Sequence, residues 1–180
     1  MPRIAKAEAL LAAAKEWDLL PSKYNRCAIC AMADGHPDDL EFLADNAFAA
    51  VVLARFALRR GHLLVVLKRH VESLPAVHWE EYVAVQRLAW EAAQAMQQVL
   101  HPVRIFVAAL GTTAKLPNSF AHHHVHVIPI EHGTEQRPAQ VLSWESGVYL
   151  YEQGEAEMLA AELRACWPKG RSTLFAIGPG

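Results

Sequence analysis

Four of the chain's ten histidines fall within five positions: His122, His123, His124 and His126. Imidazole titrates nearer neutrality than any other side chain, so it can carry a proton, attack as a nucleophile or ligate a metal at pH 7. Val125 interrupts the run, and Val127, Ile128 and Pro129 follow it. The stretch Phe120 to Ile130 reads as a strand. Side chains alternate along a strand, so His122, His124 and His126 are expected on one face, about 6.5–7 Å apart, with His123, Val125 and Val127 on the other. Two chemistries suit three imidazoles on one face. One is a catalytic metal held by three histidines with an open position. The other is attack on phosphorus by a neutral imidazole, with flanking donors for the developing charge. The bland alternative is a solvated histidine cluster. Cys27 and Cys30 form a second group, and Cys-x-x-Cys suits either redox work or a metal.

The chain has 180 residues, enough for about one domain. Apolar residues make up 53% and charged residues 20%, which excludes a disordered chain. Lys plus Arg number 17 against 19 Asp plus Glu, a net charge of −2. Such a balance gives no basic field for a long nucleic acid, although a small basic pocket for one nucleotide remains allowed. Three cysteines make no disulfide framework. Residues 1–17 mix charged and apolar side chains without a signal-peptide core. No run approaches the roughly 18 apolar residues of a membrane span. The expected location is a reducing cytoplasm.

The elements that must position these groups follow from periodicity. Ile4, Ala7, Leu10, Leu11, Ala14 and Trp17 predict an amphipathic helix, ended by Leu20-Pro21. Tyr24 to Met32 is expected to turn, and residues 33–39 to form a loop. Ala47–Leu53 and His62–Leu67 are apolar runs that predict two buried strands joined by a basic connection closed at Gly61. Tyr82, Val85, Ala89, Ala92, Met96 and Val99 predict a long helix over Trp79–Leu100, stopped by His101-Pro102. Arg104 to Ala109 reads as a strand, and 111–118 as a loop. A last helix starts near Gly154, with Met158, Leu159, Leu163 and Cys166 inward. The short link between two strands favours a mixed sheet of hairpins. Trp17 and Trp144 are expected to pack, and Arg55 to sit in a solvated loop.

Ser119-Phe120-Ala121-His122-His123-His124-Val125-His126-Val127-Ile128-Pro129 resembles the histidine-triad (HIT) signature, His-x-His-x-His followed by apolar residues. In the same order as that family come Cys27-Ala28-Ile29-Cys30, the Ala47–Leu53 run, and Gly61-His62-Leu63-Leu64-Val65-Val66-Leu67-Lys68-Arg69-His70. The resemblance covers roughly residues 24–130. It implies an α+β fold, a roughly five-stranded antiparallel sheet with one long helix and terminal helices, pairing as a homodimer. Residues 1–23 then form an N-terminal helical extension, 24–135 the HIT domain, and 136–180 a C-terminal extension with a helix packed on it.

The resemblance also implies an activity. A nucleoside phosphate derivative, a phosphoramidate or dinucleoside polyphosphate, is cleaved at its α-phosphorus through a covalent nucleotidyl-His124. His126 and Ser119 contact the phosphate or leaving group, Asn118 stands where Gln is common, and His62 supports the triad. In the zinc-bearing branch with an N-terminal Cys-x-x-Cys, the ligand positions match Cys27, Cys30, His70 and His122. Two thiolates and two imidazoles close a tetrahedral zinc site with no open position, a structural one. Mg²⁺ is expected only as a companion of a polyphosphate substrate. Ala54 occupies the position where many relatives carry a ribose-binding Asp or Asn. A non-catalytic nucleotide-binding module and a three-histidine metalloenzyme are the alternative readings.

Overall fold

The computed structural model describes residues 3–111, 120–134 and 137–168. In chain order these form β1 (Arg3–Ile4), α1 (Lys6–Asp18), α2 (Ala28–Ala33), β2 (Phe42–Asp45), β3 (Ala49–Leu53), β4 (Leu63–Leu67), α3 (Trp79–Leu100), β5 (Arg104–Ala108), β6 (His124–Ile130), α4 (Pro138–Val141), β7 (Val148–Tyr149) and α5 (Glu155–Ala165). The main sheet is antiparallel throughout, in the order β2-β3-β4-β6-β5. This is the expected α+β architecture of a five-stranded sheet and one long helix.

Strands β3 and β4 are apolar at every position because both their faces are covered. Val51, Leu53, Leu63, Val65, Leu67, Val125 and Val127 point to one side, against Val85, Leu88, Ala92 and Met96 of α3. Ala50, Val52, Leu64 and Val66 point to the other, against Ile29 of α2 and Leu40. The β4–β6 register sets Val66 opposite His124 and Leu64 opposite His126. Alternation therefore assigns the triad histidines to the α2 side of the sheet, away from α3.

The long helix starts on a capping box: the His78 N–H donates to Glu81 Oε2 at 2.9 Å. Arg69 grips the same carboxylate through two 2.7 Å hydrogen bonds, which hold the Glu81 carboxyl down at about 2. The helix ends at His101, in the left-handed conformation (φ 48°) before Pro102.

Several expectations are corrected. The Cys27–Cys30 segment is helical: Cys27 caps α2, its Sγ accepting the Cys30 N–H at 3.4 Å. Strand β2 and the small β1–β7 sheet were not legible from their short, mixed sequences. Helix α1 buries Ala9 and Ala13, while Leu11 is exposed, because its contact face is lined by small residues. Met158 faces solvent, one helical step of 100° off the buried Leu159–Leu163 line, and Cys166 stands half-buried at the C-cap of α5.

The segments flanking the sheet are clasped to each other. Strands β1 and β7 pair, and the Arg3 guanidinium donates to the carbonyls of Ser146, Gly147 and Leu58. Lys6 of α1 pairs with Glu145. At the C-terminal end, α5 inserts Leu159 and Leu163 into the α3-side core, and Arg164 grips Glu41 at 3.0 Å. Leu163→Ala is therefore expected to cost about 2–4 kcal/mol, the loss of a fully buried leucine plus its cavity. A urea titration checks this; a midpoint like the wild type would show that α5 only rests on the surface.

Candidate active site and metal centre

Strand β6 begins at His124, so His122 lies before the ladder. That is a correction to three imidazoles sharing one strand face. His124 and His126 do share a face, and His62, just ahead of β4, joins them there. Gly61 (φ +83°) makes this entry possible: a Cβ there would strike Leu100 of α3 at 2.3 Å.

The hydrogen bonds among these rings fix every tautomer. The Leu58 N–H donates to His62 Nδ1 at 3.2 Å. His62 Nε2 must then carry the ring proton, and it donates to His126 Nδ1 at 2.9 Å. His126 Nε2 in turn carries a proton and donates to His124 Nε2 at 3.1 Å. His124 Nδ1–H donates to the His122 carbonyl at 2.7 Å. Backbone groups at both ends thus set the direction of a four-bond relay of neutral rings. Its outcome is a lone pair on His124 Nε2.

Burial keeps these rings neutral. Desolvation lowers His62 to about 3, with His124 adding to the effect. It also pushes His126 well below the ordinary imidazole value, helped by His62 and His124. Desolvation lowers His124 against the opposing pull of the His122 carbonyl. A group whose folded pKa is depressed stabilises the fold above its unfolded pKa, and that stability is lost as pH falls. The expected result is a loss of stability between about pH 6.5 and 3, with His62 alone accounting for about 3 kcal/mol by pH 4. Urea midpoints measured across that range check it, and His62→Asn should flatten the slope.

The rings open onto a cavity of about 570 Å³, a size suited to a small molecule. Its wall includes Ile29, Met32, Phe56, Leu64, Leu110 and Phe120, with Trp17 of α1 and Trp144 near the other end of the chain. Both tryptophans were expected only to pack. Phe56 and Trp144 lie 5.8 Å apart by ring centroid, and Trp17 meets Phe120 edge-on at 6.1 Å. Arg55, expected in a solvated loop, also lines the cavity. It is fixed by Glu16 at 3.1 Å and Asp39 at 2.5 Å. Gly111 meets His124 closely: a Cβ on it would lie 2.7 Å from the Phe120 carbonyl and 3.6 Å from the His124 ring. Sequence pattern could not have found Glu16, Trp17 or Trp144, because they are distant in sequence and belong to no motif.

A second cluster lies beside the first. Ligand atoms of Cys27, Cys30, His70 and His122 all fall within 4.8 Å of one another. Cys27 Sγ is 3.3 Å from His122 Nδ1, and Cys30 Sγ is 3.3 Å from His70 Nδ1 and 3.4 Å from His122 Nδ1. In a tetrahedral zinc site, bond lengths near 2.3 Å to sulfur and 2.1 Å to nitrogen put such edges at about 3.6 Å. The outer ring nitrogens are also held as zinc ligands need: His122 Nε2 meets the Leu67 carbonyl at 2.8 Å, and His70 Nε2 meets Glu72 at 3.4 Å. Without an ion, burial and the neighbouring Cys27 push the Cys30 thiol up to about 12. The donors are soft, convergent and oriented, and they fit zinc.

The sequence-derived positions His62, His124 and His126 therefore come together, as do Cys27, Cys30, His70 and His122. His122 joins the sulfur cluster and leaves the other two rings, so the three-histidine metal centre does not assemble. Asn118 and Ser119 lie outside the described residues. Ala54 is buried and offers only its methyl group. His123 is buried, with no hydrogen-bond partner for Nε2 among the described residues.

Comparison with known proteins agrees with this geometry. Residues 38–133 match the HIT domain family model. An uncharacterised 16.1 kDa HIT-like protein of Mycoplasma pneumoniae is 32% identical over 106 residues, covering 58% of this chain and 72% of that protein. A hypothetical histidine triad nucleotide-binding protein from Sulfolobus tokodaii superposes with a TM-score of 0.63 at 18% identity, over 78% of this chain and 91% of that one. A zinc-bound histidine triad family protein from Mycobacterium smegmatis superposes with a TM-score of 0.58 at 21% identity, over 77% of this chain and 94% of that one. With the family model matched across the relay, and the Cys27-x-x-Cys30 pair in place, the chain belongs to the HIT domain family.

Proposed function

We propose that the protein is a nucleotide hydrolase or nucleotidyltransferase acting at the α-phosphorus of a nucleoside phosphoramidate or dinucleoside polyphosphate. The observation that carries this is the His124 ring: its Nδ1–H is pinned to the His122 carbonyl at 2.7 Å, which leaves Nε2 as the acceptor nitrogen of a ring that lines the cavity. His124 Nε2 forms a bond to phosphorus as the bond to the leaving nitrogen or oxygen breaks. His126 Nε2–H, held on that lone pair at rest, is released to meet the leaving atom or a phosphate oxygen. Water or another acceptor then displaces the nucleotide from His124. Ser119 and Asn118 precede this strand and are assigned to the phosphate. His62 keeps His126 in the donating tautomer.

Zinc on Cys27, Cys30, His70 and His122 has no open position, so it supplies a cross-link and no chemistry. A polyphosphate substrate brings its own Mg²⁺. Residues 24–135 are assigned as the catalytic unit, with the extensions 1–23 and 136–180 adding Glu16, Trp17 and Trp144 to the cavity wall. The outer edge of β5 has no partner strand among the described residues, and Val103 and Val107 are exposed beside it; this edge supports a homodimer. Among the described residues no helix is long and apolar enough to cross a membrane.

Incubation with a labelled nucleoside phosphoramidate, followed by quenching, tests the reading. Turnover with acid-labile label on the protein is expected. Nucleotide binding without turnover would leave a non-catalytic binding module.

A further inference from the structure

We infer that Glu16, delivered by α1 and oriented by Arg55, is the acceptor for the vicinal hydroxyls of the substrate's ribose. The inference rests on the nucleotide reading above and adds to it how the sugar is selected.

The cavity wall is mostly apolar, and outside the imidazoles it holds few charged groups. Two are carboxylates. Glu145 is paired with the Lys6 ammonium. Glu16 is different: one oxygen, Oε1, accepts from the Arg55 guanidinium at 3.1 Å, and Oε2 has no partner among the described residues. Arg55 is itself held on its other arm by Asp39 at 2.5 Å. A guanidinium fixed at both ends is a rigid mount, and it sets the plane and direction of the carboxylate it holds. The result is an acceptor with a spare oxygen at the wall of an apolar chamber. A carboxylate so placed selects a ligand that brings hydroxyl donors into an otherwise greasy site, and an uncharged vicinal diol does that.

Its position matches a sugar. The Ala54 N–H donates to the His62 carbonyl at 3.0 Å. Arg55 is therefore one residue from the backbone partner of His62, the relay's first ring, within one step of a strand ladder. Glu16, Arg55, His124 and His126 line the same cavity, so a nucleotide whose phosphorus meets His124 is placed to set its sugar against Arg55 and Glu16. Position 54 itself cannot serve, since its side chain is a buried methyl. Glu16 comes from α1, outside the matched residues 38–133.

The test is binding of adenosine 5′-monophosphate against its 2′,3′-dideoxy form, with steady-state rates on the matching phosphoramidates. Hydrogen bonds to a charged acceptor predict that the wild type prefers the ribose form by about 10- to 100-fold. Glu16→Ala should bring the ratio close to one, through KM with little change in kcat, and Glu16→Gln should lower it less. Arg55→Met should lower it as a positioning change, with no further loss when combined with Glu16→Ala. A ratio unchanged in Glu16→Ala overturns the assignment while the nucleotide reading stands. A wild type that neither binds nor turns over either nucleotide overturns both.

Discussion

His124→Ala is expected to lower turnover of a nucleoside phosphoramidate by on the order of 10⁴-fold or more, with nucleotide affinity nearly unchanged. Four hydrogen bonds in series, from the Leu58 N–H to the His122 carbonyl, leave the lone pair of His124 on Nε2, in a ring that lines the cavity. Alanine removes the nucleophile and keeps the wall of the cavity. His126→Ala removes a donor instead, so its deficit should be smaller, about 10²- to 10³-fold. The two variants also differ in the trapped species: His124→Ala should show no acid-labile label, whereas His126→Ala should form it slowly. Retention of turnover in His124→Ala, measured by release of the leaving group, would end the covalent reading.

Cys27→Ala and Cys30→Ala are expected to lose zinc and to melt about 10 °C lower, a fall that corresponds to roughly 3 kcal/mol in a chain of this size. The same fall should follow chelation of the wild-type protein, while His124→Ala keeps its zinc. Metal analysis beside a melting curve reads both. The effect should reach the chemistry as well. His122 turns its ring to the cysteines, and its own backbone carbonyl holds His124 Nδ1–H. On the proposed function, one residue would serve the metal with its side chain and the nucleophile with its main chain. Activity in the cysteine variants should fall more than stability alone explains when assayed at temperatures where they remain folded. Full activity without zinc would show that the carbonyl is held by β6 alone.

The fold and the reacting groups were legible to very different degrees. The apolar runs of β3 and β4 and the 3.6-residue stripe of α3 come from burial on two faces or one, a pattern written directly into side-chain type. That His124, His126 and His62 come together, and likewise Cys27, Cys30, His70 and His122, was expected from their positions in the motifs that carry the family resemblance. His122 was read as a strand residue because a period-two reading assumes an unbroken strand, and β6 starts two residues later, so its ring turns to the cysteines. The α2 helix was hidden because six residues carry too little periodicity to separate helix from turn. Glu16, Trp17, Arg55 and Trp144 were unreadable for another reason. What they do depends on which remote segments come together around the cavity, and neighbours along the sequence do not encode that.

The β1–β7 clasp gives the first few residues an importance out of proportion to their number. Arg3 holds Ser146 and Gly147 by their carbonyls, next door to Trp144, and α1 leads straight on from Arg3–Ile4 to Glu16 and Trp17. Both sides of the chamber's ceiling thus hang from one latch. Cutting the chain between Ile4 and Lys6, or replacing Arg3, is therefore expected to lower activity as an active-site lesion would, with the relay of imidazoles left in place.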